Sequence, residues 1–221
     1  LAALQQQGKS LIVVARNGVA LGTIALADRL RDSSRRAIVQ LRGMGIRVVM
    51  LSGDNHATAQ AIAAEAGIAD FRAEVMPQDK AALIHTLKLR PDDIVGMVGD
   101  GINDAPALAA ADVSFAMKSG SDIALEAADI TLMHNDLMSV ADAISLSRAT
   151  LRKIRQNLFF AFAYNVLGIP LAVMGLLNPV IAGAAMAMSS VSVVSNALLL
   201  KRWQPAVPTS ATEASGSNLA A

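Results

Sequence analysis

The alternation of apolar and polar positions follows three successive rhythms along this chain. Up to residue 27, the stretch SLIVVARNGVALGTIALAD sets short apolar runs on either side of Asn17-Gly18, which predicts two or three short strands and a hairpin turn at that pair. From Asp28 the apolar spacing switches back and forth between helical and extended periods. Helices are predicted over DSSRRAIVQLRGMG, DNHATAQAIAAEAG, PQDKAALIHTLKLR, DAPALAAAD and SDIALEAAD, and strands over IRVVML, DIVGMV, VSFAM and ITLM. Ser33 or Asp32 should cap the first of these helices, Gly43 or Gly45 should stop it, Gly67 should stop the second and Pro77 should open the third. Such alternation implies an α/β architecture, a mostly parallel sheet with helices on both faces.

The third rhythm is helical and apolar. DLMSVADAISLSRATLRKIRQN reads as one long helix that turns basic before LFFAFAYNVLGIPLAVMGLL, and Asn178-Pro179 separates this from VIAGAAMAMSSVSVVSNALLL. No charged residue lies between Leu158 and Leu200. Each apolar run has about 20 residues, the length that crosses a bilayer's hydrocarbon core. Two buried core helices would have a similar composition, but a chain of 221 residues offers too little other protein to cover both. Arg152, Lys153 and Arg155 flank one end, Lys201 and Arg202 the other. By the positive-inside bias both ends face the cytoplasm, and the two spans form a hairpin in membrane lipid with a tight outer turn at Asn178-Pro179. Residues 204–221, rich in Pro, Ser, Thr and Ala, are expected to be a disordered tail.

Composition narrows the picture further. A net charge of +1 gives no reason to expect nucleic-acid binding, and the absence of cysteine excludes disulfides and thiolate metal sites within this stretch. The chain opens on Leu with no signal-peptide pattern, and it is read as the carboxyl-terminal part of a longer protein.

Two strand ends carry unusual chemistry, and strand ends are where ligands gather in parallel sheets. The first has Ser52, Gly53 and Asp54; the second has Gly99, Asp100, Gly101, Asn103 and Asp104. Glycines let backbone N–H groups approach a phosphate, and Ser52 adds a hydroxyl donor. Asp100 and Asp104 supply hard oxygens suited to Mg²⁺, while Lys80 could bring an ammonium to the same phosphoryl group. Taken singly, Asp100-Gly101 is an ordinary turn, Asp104 a helix cap and Lys80 a solvated residue; their order on successive strand ends favours a phosphate and Mg²⁺ site. His56, His85 and His134 have no ligand-like spacing.

The apolar spans are not uniform either. Tyr164, Asn165 and Pro170 interrupt the first, and Met186, Met188, Ser189, Ser190, Ser192, Ser195 and Asn196 stud the second. Polar groups at bilayer depth face protein or a transport path, although serines and small residues also serve close helix packing. Pro170 frees the carbonyl of Val166 and can bend the helix. Thioethers favour soft ions, and no carboxylate in the spans offers a calcium or proton-relay site.

MLSGDN, MPQDKAALI and VGDGINDAPALAAADVSFAM resemble the successive signatures of the P-type ATPases, over about residues 10–203. The resemblance implies a haloacid-dehalogenase-like phosphorylation domain over residues 25–138, after residues 1–24 as the end of a nucleotide-binding domain. A hinge would lie near Asp28, and a stalk helix with two transmembrane helices over 139–203. It implies ATP as substrate, Mg²⁺ on Asp100 and Asp104, and Ser52 and Lys80 at the phosphoryl group, with Gly53 and Asp54 shaping the loop. Ser52 stands where the family usually has Thr, which keeps the hydroxyl. AYNVLGIP and MAMSSVSVVSN resemble the last two membrane helices of the copper(I)-exporting subclass, which would make Tyr164, Asn165, Met186 and Ser190 transport-site residues. Zinc and cadmium exporters would show a Lys and an Asp there, and neither is present; silver could share the site. The family's phosphorylated Asp, in Asp-Lys-Thr-Gly, and its Cys-Pro-Cys ligands are absent, so both would belong to a missing amino-terminal part and this stretch alone should form no phosphoenzyme. The resemblance places the assembly in the plasma membrane, and the long helix would link the phosphorylation domain to the transport site. Rival readings are a pump for another cation, a membrane-tethered phosphatase of the same fold, and a non-catalytic metal-binding membrane fragment.

Overall fold

The computed structural model describes residues 10–26, 30–100, 102–118, 120–176 and 178–205. The expectations for residues 1–9, for the hinge at Asp28, for Gly101 and for the tail beyond residue 205 lie outside these. The chain forms two compact units, residues 1–141 and 142–221.

The first unit begins with an antiparallel hairpin, β1 (Ser10–Arg16) and β2 (Val19–Leu26). Asn17 and Gly18 turn it with φ of 51° and 81°, the two left-handed positions that match the twist of paired strands. Helix α1 (Asp32–Gly43) then opens the alternating region. Neither Ser33 nor Asp32 caps it: the N-cap is Arg31, whose side chain makes no capping bond, and Asp32 lies in the first turn, where its charge meets the helix dipole. The Arg31 guanidinium donates instead to the Asn135 carbonyl. Of the two candidate stops, Gly45 is the one used. It has φ 78°, and N–H groups of Gly45 and Ile46 reach back to the carbonyls of Arg42 (2.9 Å) and Leu41 (3.1 Å).

Strand β3 (Val49–Leu51) leads to α2 (His56–Ala66), which Asn55 caps by accepting the Thr58 N–H at 3.0 Å and Gly67 stops with φ 75°. Next comes a strand the pattern did not announce, β4 (Asp70–Arg72), parallel to β3. Three residues, two of them charged, give no alternation to read; the Asp70 carboxylate is paired with Arg72 and, at 3.8 Å, with Arg47. Helix α3 (Pro77–Thr86) opens on its proline, followed by β5 (Gly96–Gly99), a 3₁₀ turn over Ile102–Asp104, α4 (Ala105–Ala110), β6 (Val113–Met117), α5 (Asp122–Ala127) and β7 (Ile130–Leu132).

All pairing after the hairpin is parallel, as the alternation requires, but it comes as two ladders rather than one: β3-β4 and β5-β6-β7. Among the described residues, β3 and β5 each have one strand partner, so each keeps a free edge. The core is largely alanine. Ala59, Ala63 and Ala66 form one buried stripe of α2, joined by Ala37, Ile38, Ile84, Ala107, Leu108, Phe115, Ala116 and Leu132. Two carboxylates tie the strands of the three-stranded ladder. Asp112 accepts from Lys88 Nζ (2.7 Å) and the Val95 N–H (2.8 Å), and Asp129 accepts from the Ser114 hydroxyl (2.8 Å) and N–H (2.9 Å).

The helix α6 (Met138–Val173) runs for 36 residues and continues through Pro170 to its end. It stops in a left-handed Gly175 (φ 68°), with Leu176 N–H on the Leu171 carbonyl and Gly175 N–H on that of Ala172, each at 3.0 Å. Helix α7 (Pro179–Leu198) starts as the Asn-Pro pair suggested: Asn178 Oδ1 accepts the Val180 N–H at 2.9 Å and Pro179 takes the first helical position. A 3₁₀ turn over Leu199–Arg202 closes the element. Both helices are long and apolar enough to cross a membrane. Their apolar side chains face outward, with Phe159, Phe162, Leu167, Met186 and Val191 all exposed.

Candidate phosphoryl and cation sites

Among the described residues, those predicted for the soluble site sit at the carboxyl ends of β3 and β5 or on the turn of helix between them. After β3 the chain turns sharply. The Ser52 hydroxyl donates to Asp54 Oδ2 at 2.8 Å and accepts the Asp54 N–H at 3.1 Å. Backbone bonds seat this loop against the approach to α3: Ser52 N–H on Arg72 O, Val75 N–H on Ser52 O and Glu74 N–H on Asp54 O. Glu74 takes φ 56° to allow it, an uncommon conformation for a residue with a side chain. Gly53 lies exposed at the loop's tip, where a Cβ would come 3.6 Å from the Val75 carbonyl.

Four residues into α3, Lys80 points at the second strand end. Its Nζ lies 2.7 Å from Asp104 Oδ1, with both side chains about 15% exposed (15% and 14%). Asp104 Oδ2 in turn accepts the Asp100 N–H at 3.4 Å, a long bond that folds the carboxylate back over the end of β5. Gly99 makes room for this fold. A Cβ there would stand 2.7 Å from Asp104 Cβ, closer than real contacts allow, and a tight 3.1 Å from its carboxyl carbon. Gly120 serves the same end from the other side, since its Cβ would meet the Asp100 carbonyl at 3.0 Å, and Ser121 N–H bonds that carbonyl at 3.1 Å. The Asp100 and Asn103 side chains are exposed.

The structure therefore brings Lys80 onto Asp104 and Asp104 onto the Asp100 backbone, and connects the Ser52 loop to them through the segment that starts α3. Lys80 is held in a local ion pair that shields much of its charge from solvent, not in a solvated helix face. Asp104 lies at the end of the 3₁₀ turn and makes no side-chain cap for α4, which removes the simplest alternative role. The donor set fits a hard cation: the exposed Asp100 carboxylate, and the Asp104 carboxylate that accepts the Asp100 N–H. Among the described residues no cluster of three or more His, Cys, Asp or Glu could hold a metal by itself, so the remaining ligands would come from elsewhere. Sequence reading missed the steric roles of Gly99 and Gly120, because a glycine next to an acidic residue looks like an ordinary turn.

In the helical unit the predicted residues are laid out on two helices. Asn165 Nδ2 donates to the Ala161 carbonyl at 2.8 Å and Ser190 Oγ to that of Met186 at 3.2 Å, each within its own helix. Asn165, Met186 and Ser190 are exposed and Tyr164 is half-buried. Among the described residues no hydrogen bond joins the first pair to the second. They offer an amide, a phenol, a thioether and a hydroxyl, and no charge.

A family model of the haloacid dehalogenase-like hydrolases matches residues 1–112. With the parallel ladders and the acidic strand end described above, the chain belongs to that family. Relatives that it matches include P-type ATPases. It is 55% identical over 199 residues to the copper-exporting P-type ATPase of Bacillus subtilis (strain 168), covering 90% of this chain and 25% of that protein. It is 54% identical over 200 residues to the copper-exporting P-type ATPase of Staphylococcus saprophyticus, again covering 90% of this chain and 25% of the other. The crystal structure of a zinc-transporting PIB-type ATPase in its E2.Pi state aligns with a TM-score of 0.79 at 40% identity, covering 90% of this chain and 32% of that one. The chain thus spans about a quarter of the length of the curated relatives it matches.

Proposed function

We propose that this chain is the carboxyl-terminal part of an ATP-driven pump that moves copper(I) out across the plasma membrane, with silver(I) as a second soft cargo. The observation that carries the reading is the Lys80–Asp104–Asp100 arrangement on the end of β5, in a chain that continues into two membrane-length helices with soft and neutral polar side chains. In the whole protein, an Asp outside this chain would accept the γ-phosphoryl group of ATP. Mg²⁺ bound by Asp100 and Asp104 would supply charge neutralisation for that transfer and for hydrolysis of the acyl phosphate. Lys80, held by Asp104, is already oriented toward the strand ends, so little reorganisation is needed when a phosphoryl oxygen arrives. The Ser52 hydroxyl would exchange its bond to Asp54 for one to the phosphoryl group, with the exposed Gly53 N–H beside it. Asp54 shapes the loop, and Asn103, exposed on the 3₁₀ turn, is available to the nucleotide or the metal's water. A strand carrying the phosphorylated Asp would find a free edge on both β3 and β5, which is where its side chain would have to emerge.

For the cargo, Tyr164, Asn165, Met186 and Ser190 favour a soft monovalent ion over zinc. A divalent ion would leave its charge uncompensated among neutral ligands, whereas a thioether suits Cu(I). The basic residues at both ends of the hairpin favour a cytoplasmic location for those ends and for the phosphorylation domain. Helix α6, continuous from Met138 to Val173, would link that domain's motion to Tyr164 and Asn165.

The test is ATP hydrolysis by the full-length protein in lipid vesicles, with Cu(I), Ag(I) and Zn(II) offered separately. Stimulation by the two soft ions and not by zinc is expected. Asp104→Ala should lower that rate by at least about a hundredfold while sparing expression. Stimulation by zinc alone, or an unchanged rate in Asp104→Ala, would overturn the reading.

A further inference from the structure

At the charged end of the helical unit lies a polar chain that neither site uses. Lys153 Nζ donates to Asn196 Oδ1 at 2.8 Å, and Asn196 Nδ2 donates to Asn157 Oδ1 at 2.7 Å. Three half-buried side chains thereby join α6 to α7. The direction of this chain is dictated by chemistry. An ammonium only donates, so the Asn196 carbonyl must face Lys153, its NH₂ is left for Asn157, and Asn157 serves as an acceptor. By contrast, Asn165, Ser190 and Ser192 all bond to carbonyls of their own helices. Packing of small and apolar side chains against lipid-exposed helices is weakly directional, whereas a buried polar link penalises any shift that leaves its groups unpaired.

The link is close to the proposed cation ligands along each helix. Lys153 and Asn157 are one turn apart, and Tyr164 follows Asn157 by two turns on the same stripe, about 10 Å along the axis. On α7, Ser190 and Met186 precede Asn196 by about 9 and 15 Å. We propose that Lys153, Asn157 and Asn196 are positioning residues that fix the register of α7 on α6. They thereby set the spacing of Tyr164 and Asn165 from Met186 and Ser190. The consequence for copper rests on the function proposed above; the register itself does not.

The experiment uses the full-length protein in lipid vesicles. Asn196→Ala removes both bonds, while Asn157→Asp keeps the acceptor. The copper(I) concentration for half-maximal ATPase activity should rise about 3- to 20-fold in Asn196→Ala, the range that interhelical hydrogen bonds support, with half-saturation by ATP unchanged. Asn157→Asp should stay within about twofold of the parent protein, a rescue that a requirement for an amide at that position would not give. An unchanged copper half-saturation in Asn196→Ala, or an Asn157→Asp variant as impaired as Asn196→Ala, would overturn the proposal. A second readout is independent of transport: thermal unfolding midpoints of Asn157→Ala, Asn196→Ala and the double variant. Non-additive shifts are expected and additive shifts would refute the link. If the parent protein shows no copper stimulation, the functional reading fails, and the unfolding cycle still decides the register. If Asn196→Ala does not accumulate, Asn157→Ala, which removes only one bond, carries the copper measurement with the same expected direction.

Discussion

Helices α2 and α7 are both built mainly from small apolar residues, yet they meet opposite surroundings. In α2, Ala59, Ala63 and Ala66 are at most 2% exposed, and polar residues such as Gln60 and Glu65 fill the outer side. In α7 no charged residue interrupts the helix, and Met186 and Val191 are 74% and 65% exposed. A water-soluble helix has one face for protein and one for water, while α7 has apolar side chains on nearly every face. The lesson is that exposure alone does not say what a side chain tolerates. That depends on whether the outer medium is water or hydrocarbon.

The comparison can be broken at several points, beginning with the largest effect. Ile84 is 2% exposed and fills the core beneath α3. Ile84→Ala should destabilise the first unit by up to about 5 kcal/mol, measured by thermal unfolding, because the removed atoms leave a cavity. A sharper contrast uses two valines of nearly equal exposure, Val39 on α1 at 66% and Val191 on α7 at 65%. Val39→Lys should change stability by less than about 0.5 kcal/mol, as for most surface substitutions. Val191→Lys should cost about 3 kcal/mol of membrane insertion, read from the inserted fraction in a translocation assay. Equal outcomes would mean that both helices share one solvent.

The smallest effect is confined to the soluble unit. The Lys88 ammonium, and after it the Val95 N–H, hold the Asp112 carboxyl below the usual carboxylate range. The Ser114 hydroxyl and N–H do the same for Asp129. A depressed folded-state value means that these carboxylates stabilise the fold at neutral pH and above the ordinary carboxylate range. Their contribution is lost as the pH falls below about 4 and through the folded values. The unfolding midpoint of the parent protein should therefore drop between pH 5 and pH 3, and Asp129→Asn should flatten part of that slope. An unaltered slope in this variant would remove Asp129 from the account.

Much of this architecture could be read from residue order because it rests on local signals. Asn17-Gly18, Gly67, Pro77 and Asn178-Pro179 each act within a turn of the chain, and each does what its backbone chemistry requires. Helix α1 starts at Asp32 as expected, but its cap differs because capping by Ser or Asp is a local preference, and Arg31 is held from a distance by Asn135. Strand β4 was invisible since its three residues owe their conformation to pairing with β3, not to any pattern of their own. For the candidate sites, residue order singled out Ser52, Lys80, Asp100 and Asp104 as candidates but could not show that Lys80 and Asp104 meet. The link from Lys153 through Asn196 to Asn157 was hidden for the same reason: the partners are 43 and 39 positions apart.

The missing side chain at Gly99 has a consequence beyond the folded state, in the routes by which this chain can change. Because the Asp104 side chain occupies the volume where even a methyl group would stand, Gly99 cannot gain a side chain unless Asp104 moves. A lineage that replaced the glycine would have to move its acidic neighbour in the same step, and with it the ammonium that the acid restrains. A change at this one strand glycine would thus be felt in a turn and in a distant helix.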